Sequence, residues 1–271
     1  VLAYCPGPPW GLRRDRALTG PTGLDALSVV YLGQASAVLA ARSGTLVPVT
    51  SGSAGLVPGG LGVPDRATLA PVLARWAELP GGRRVAVDLR AWFAAAAAVD
   101  LYVPARAGVP LTQLAELDRA LSDPPSRTTG FAPGDRAAEL AHRAVEAREL
   151  DACAVATVGA GPGTTPAGDD VICGVLAGLD LLGLDDAHRR LGAAVTPLLP
   201  ATTRTSRHLL AAAVAGRYPE GLLALAAAPT ASAVRGALAV LRRWGASSGL
   251  DQATGFAAAI RAGVLVGAGA R

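Results

Sequence analysis

Aromatic residues make up only 4% of this 271-residue sequence, although 51% of it is hydrophobic. A core of that composition is built from small side chains, with alanine and glycine letting helices pack closely. Cysteine is scarce. Cys5, Cys153 and Cys173 make neither a disulfide framework nor a CxxC pair, so reduced, partly buried thiols are expected. Histidine is scarce too, at three residues. None lies near the main polar motif, and no metal site is expected. An excess of one charge is missing: 25 basic residues against 21 acidic give a net +4. That balance, with no basic run and no aromatic–basic interleaving, excludes a nucleic-acid partner. Long apolar runs are lacking as well. Residues 94–99 are too few to span a bilayer and Arg261 interrupts the alanine-rich C-terminus, so no membrane partner is expected. The N-terminus has no basic segment leading a continuous apolar run, which makes a poor signal peptide. A cytoplasmic location is the expectation. The chain is long enough for one large domain or two moderate ones.

What is present is concentrated between Gly159 and Asp170, GAGPGTTPAGDD. Glycine allows left-handed dihedrals and close backbone approach, and proline stiffens the turn. An apolar helix-like segment follows, from Val171 to about Leu184. A rigid turn should therefore deliver Asp169 and Asp170 to the start of a helix. Backbone amides at such a turn suit an anion. The stretch reads as an active-site or ligand loop, or as a tight interdomain turn with a helix cap. It is neither a P-loop, having no lysine after its glycines, nor a dinucleotide fingerprint. No cofactor is implied. Asp169 and Asp170 are adjacent and cannot face the same way, so one can cap the helix while the other serves a ligand.

The chain before this loop is richer in strand signals. Extended segments are expected at 24–32, 37–46, 46–50 and 84–89, with 35–41 equally suited to a short helix, and a helix is expected at 65–79 after Pro64. Trp92 and Phe93 either extend the last strand or begin a buried helix. A helix is expected at 112–121, then a linker at 122–133 carrying prolines, Ser126, Thr128 and Thr129. From Gly134 a helical region should run to about Ala154, its alternating charges forming a solvated face. Beyond the loop the chain reads as almost wholly helical. The fold class is α+β: a β-rich N-terminal domain over 1–125, then an all-α domain over 126–271.

Two further segments carry polar chemistry. Arg204 and Ser206 open a helix beside Thr202, Thr203 and Thr205, where Arg204 suits a carboxylate or phosphate and ordinary capping is the alternative. Gly245 to Asp251 repeats the first loop's logic, with Ser247, Ser248 and then Asp251 at a helix start. His208 does not share a helix face with Ser206, which argues against a serine–histidine pair. His142 and His188 read as surface residues, and Cys173 as structural. The two glycine turns are expected to meet at one cleft near the junction of the two domains.

Taken together, the three segments resemble the AllH-type family, whose best-known member is a subunit of oxamate carbamoyltransferase. That family shares a Gly-x-Gly-x-Gly-Leu-Thr-Pro-Ser-Gly-Asp-Asp loop, a threonine-rich approach to a serine that starts a Leu-Leu helix, and a late Gly-x-x-Ser-Gly-x-Asp turn. Here these are Gly159 to Asp170, Thr202 to Leu210, and Gly245 to Asp251. Thr164 and Ala167 depart from the usual leucine and serine. The resemblance implies carbamoyl transfer between a small carboxylate-bearing amide and phosphate. It implies Asp169, Asp170 and Asp251 as catalytic groups. Gly161, Gly163, Thr164, Thr165, Gly168, Arg204, Ser206 and Ser248 would bind a small anionic metabolite such as phosphate or carbamoyl phosphate. Partner subunits or a homo-oligomer are implied too. An enzyme acting alone on another small amide or carboxylate, and a noncatalytic anion-binding assembly subunit, are the competing readings.

Overall fold

Apolar runs at 37–41 and 46–49 flank a turn at Arg42 to Gly44, and on either side of that turn the chain is extended. The computed structural model describes residues 2–3, 11–18, 27–52, 55–78, 86–103, 111–121 and 132–269. The expected linker lies outside these residues except at its last two positions, as do Cys5 and most of the proline-rich lead-in. The chain divides into two compact units, residues 1–101 and 102–271.

The first unit holds strands β1 (Leu2–Ala3), β2 (Arg13–Asp15), β3 (Ser28–Leu32), β4 (Ser36–Ala40), β5 (Leu46–Ser51), β6 (Leu61–Val63), β7 (Ala86–Val87) and β8 (Ala97–Val99). Six of them form a mixed sheet in the order β3-β4-β5-β6-β2-β8, while β1 and β7 pair separately in parallel. β5 is buried at every position, as expected of a strand covered on both faces. Ala37, Leu39, Val47 and Val49 share one core with Leu69, Val72, Leu73 and Trp76 of helix α1 (Arg66–Ala77). Asp65 caps α1 by accepting from the Thr68 amide at 2.7 Å. The open choice at Trp92 falls to helix α2 (Arg90–Ala95), where its side chain is buried.

Among the described residues the regular elements of the second unit are helices: α3 (Leu111–Leu121), α4 (Pro133–Glu146), α5 (Leu150–Thr157), α6 (Ala167–Leu182), α7 (Asp185–Val195), a 3-10 turn (Thr196–Ala201), α8 (Arg204–Val214), α9 (Glu220–Ala226), α10 (Ala231–Leu241) and α11 (Ser248–Gly269). The β-rich-then-α order is the expected one. The break falls after Leu101 rather than near residue 125, because α3 packs on α10 and α11 and so lies with the helical unit.

A single helix over 134–154 is not formed. Ala147 and Glu149 take left-handed dihedrals, φ 60° and 40°, and divide it into α4 and α5. The reason comes from another helix. Arg190 of α7 donates to the Ala144 carbonyl, at 2.8 Å through Nη2, and to the Val145 carbonyl at 3.3 Å. These are carbonyls that a terminating helix leaves without intrahelical donors. The exposed side of α4 does carry the expected charges, with Glu139 bound to Arg136 and Arg143 and Glu146 to His142. His188, expected at the surface, is nearly buried. It lies 3.2 Å from the Tyr218 hydroxyl, which donates to Asp180 at 2.6 Å.

The unit is centred on α6, which is buried along almost its whole length, and α11, which crosses it. A Cβ on Gly174 would stand 1.9 Å from the Gln252 carbonyl oxygen, and one on Gly255 2.1 Å from that of Val171. No side chain fits at such separations, so the two backbones touch directly. The aromatic-poor, glycine-rich composition is thereby used: glycine sets the distance and alanine fills the remainder. No helix among the described residues is long and apolar enough to cross a membrane.

Candidate functional site

The glycine loop turns on three left-handed glycines, Gly159, Gly161 and Gly163, at φ 75°, 105° and 100°. It closes on itself where the Gly168 amide donates to the Ala160 carbonyl at 2.9 Å. A Cβ on Gly168 would meet the Thr157 carbonyl oxygen at 2.0 Å. Gly168 therefore lets the loop lie against the end of α5, and its amide is already engaged. Gly161 to Thr164 are exposed, and the amides of Gly161, Gly163 and Thr164 donate to no acceptor among the described residues. The donors open to an anion are thus at the loop's tip.

Helix α6 starts a turn earlier than the apolar pattern suggested, at Ala167, because Pro166 supplies the carbonyl that accepts from the amides of Asp169 and Asp170 at 3.0 and 3.2 Å. Both carboxylates then stand in the first turn, where the helix dipole favours negative charge, and both are buried.

Their roles divide sharply. Asp169 Oδ1 accepts from the Gly159 amide at 2.8 Å. Its Oδ2 accepts from Ser206 Oγ at 2.6 Å and from Thr202 Oγ1. Asp169 thus ties both ends of the glycine loop to the entry of α8. Thr203 reinforces the tie: its hydroxyl donates to the Thr164 carbonyl and accepts from the Ser206 amide as the cap of α8. Ser206 is consumed in this network. Arg204 lies exposed in the first turn of α8.

Asp170 faces α11 instead. Its Oδ1 accepts from Gln252 Nε2 at 3.0 Å, and its Oδ2 is buried with no hydrogen-bond partner. Burial pushes its carboxyl well above the ordinary carboxylate range, helped by the charges of Asp251 and Asp169 and opposed by Gln252 and Ser248. Asp251, one residue before Gln252 on α11, is fully buried. The second glycine turn meets the first through Thr165 and Ser248, whose hydroxyls lie 2.8 Å apart. The two turns therefore do come together, within the helical unit.

Among the described residues, no three histidine, cysteine, aspartate or glutamate side chains converge as a set of metal ligands. Gln252 was absent from the residues singled out in the sequence. Its only signal there is its place directly after Asp251, and a glutamine inside an apolar helix has no distinguishing pattern until the partner helix is known.

The family model described as oxamate carbamoyltransferase subunit AllH matches residues 157–260. The chain is thus distantly related to that family over this stretch, which runs from the end of α5 to within α11 and contains all three polar segments. Neither the curated proteins nor the solved structures return a match.

Proposed function

We propose that the chain is a carbamoyltransferase-type protein acting on a small carboxylate-bearing amide. The observation that carries this reading is that the matched stretch holds all three polar segments and that they bind one another. Asp169 joins the first to the second, while Thr165–Ser248 and Asp170–Gln252 join the first to the third.

The reaction is oxalurate plus phosphate giving oxamate and carbamoyl phosphate. The bond between the carbamoyl carbon and the oxamate nitrogen breaks, a carbon–oxygen bond to phosphate forms, and the departing nitrogen takes a proton. Such chemistry needs donors fixed around the phosphate and the tetrahedral oxyanion. The amides of Gly161, Gly163 and Thr164, with the Thr165 hydroxyl, are the candidates. Arg204 would hold the substrate carboxylate. Asp170 is the candidate proton donor, with Asp251 beside it. Asp169, both of whose oxygens are occupied, would position the loop.

A second reading is favoured by the word subunit in the description of the matched family: a noncatalytic module that binds a small anion within a larger assembly. Turnover separates the two. The isolated chain, and any complex that copurifies with it, would be given carbamoyl phosphate and oxamate and the release of phosphate followed. Turnover by the isolated chain, lost in Asp170→Asn, supports the first reading. Turnover by the complex that survives Asp170→Asn supports the second.

A further inference from the structure

Among the buried atoms of the α6–α11 crossing without a hydrogen-bond partner are two that belong to residues already bound to each other. Gln252 Nε2 donates to Asp170 Oδ1 at 3.0 Å. The other oxygen of Asp170, Oδ2, and the other polar atom of Gln252, Oε1, are both buried and unpartnered. Asp170 is 2% exposed and Gln252 is 0% exposed, so water does not fill the gap cheaply. An ionised carboxylate and an amide oxygen are both acceptors only, and leaving both unsatisfied is a costly arrangement.

We propose that Asp170 and Gln252 form a neutral acid–amide pair, with the carboxyl proton on Oδ2 directed to Gln252 Oε1. A carboxylic acid and a primary amide have matching faces: each offers one donor and one acceptor. One proton therefore satisfies both open atoms and turns a single hydrogen bond into two.

The surrounding charges favour the same state. The groups that bear on Asp170 are the carboxylates of Asp169 on α6 and Asp251 on α11 and the Cys173 thiol of α6, while the Gln252 amide and the Ser248 hydroxyl of α11 act the other way by hydrogen bonding to the charged form. Burial and these carboxylates all disfavour a charge on Asp170. Asp169 accepts from three donors. Three adjacent buried carboxylates, all ionised, would repel an anion held by the glycine loop; the neutral pair removes one of them. Gln252 is then a positioning residue that fixes where the Asp170 proton sits. The use of that proton in carbamoyl transfer rests on the function proposed above, whereas the protonation state does not.

The test is carbon-detected NMR on the full chain labelled at the aspartate side-chain carboxyls. The Asp170 signal is assigned by through-bond correlation to its own backbone in the unmodified protein, so no variant has to fold. The expected result is an Asp170 carboxyl signal that stays in the protonated range at pH 7. An ionised Asp170 at pH 7 overturns the proposal.

A second measurement uses Asp170→Asn, whose amide can reproduce both hydrogen bonds. In the native protein a carboxyl with a raised pKa binds its proton more tightly folded than unfolded. Its stability contribution is complete below the unfolded value and declines as pH rises toward the folded one. The variant lacks that decline. Relative to the native chain, its folding constant should gain up to about tenfold per pH unit above roughly pH 4. Parallel stability curves for the two proteins overturn the proposal. Neither readout involves turnover, so a failure here leaves the carbamoyl-transfer reading standing, and absence of turnover leaves the acid–amide pair standing.

Discussion

Ser206 donates its hydroxyl proton to Asp169 Oδ2 at 2.6 Å, joining the first turn of α8 to the first turn of α6 across 37 residues of sequence. The same oxygen receives Thr202, and the other receives the Gly159 amide. One carboxylate therefore holds the glycine loop and the α8 entry in a single arrangement.

Asp169→Asn should destabilise the protein by about 2–3 kcal/mol, because the amide nitrogen must replace one acceptor oxygen and then faces donors. Ser206→Ala, which removes one of three donors, should cost only about 1–2 kcal/mol. Urea unfolding of both variants checks the order, with the midpoint moving and the slope unchanged.

The α6–α11 crossing makes a second prediction. A Cβ at Gly174 would lie 1.9 Å from the Gln252 carbonyl oxygen and 2.8 Å from the Phe256 amide nitrogen, and neither is a flexible side-chain end. Gly174→Ala should cost about 3 kcal/mol or more by forcing the helices apart. It should also disturb the Asp170–Gln252 contact. Gly236→Ala on α10, where a Cβ meets nothing within 4 Å, should instead stabilise the fold by about 0.5–1 kcal/mol. Thermal unfolding of the two variants should move in opposite directions.

Tyr218 tests the polar contact behind α6. Its hydroxyl donates to Asp180 and lies within 3.2 Å of His188, and burial beside Asp180 pushes the phenol well above its ordinary range. Tyr218→Phe preserves the ring but leaves Asp180 without this donor. A loss of about 1.5–3 kcal/mol is expected for a hydrogen bond to a charged acceptor, read as a lower urea midpoint at pH 7.

Cys153 and Cys173 should be inert in the folded chain. Burial pushes the Cys173 thiol well above its ordinary range, with the charges of Asp170 and Asp169 adding to it, and burial raises Cys153 too. A raised thiol holds its proton at pH 8, and the thiolate is the reactive form. Site-resolved mass spectrometry after iodoacetamide treatment at pH 8 should find both positions unmodified in the native protein and modified in urea.

The positions of these elements were legible to different degrees. Asp65 and Pro64 announce α1, and Thr230 announces α10, because capping is decided by a few neighbouring residues. The glycine loop announces itself for the same reason: left-handed backbone at Gly159, Gly161 and Gly163 is a local demand that glycine meets. The break at Ala147 does not announce itself, since the donor that ends α4 is Arg190 on another helix. His188 looks like a surface residue in a charged stretch until α8 and Tyr218 close over it.

The sequence by itself thus determined the order of a β-rich part before a helical one, the rigid turn, and the presence of carboxylates at two helix starts. Those properties follow from local dihedral preference and periodicity. Only the tertiary structure decided which aspartate does what. Asp169 and Asp170 are chemically identical and adjacent, but successive residues on a helix point about 100° apart. One therefore meets the hydroxyls of α8 and the other meets Gln252 on α11. That difference in partners leaves both oxygens of Asp169 occupied and Asp170 Oδ2 short of a donor.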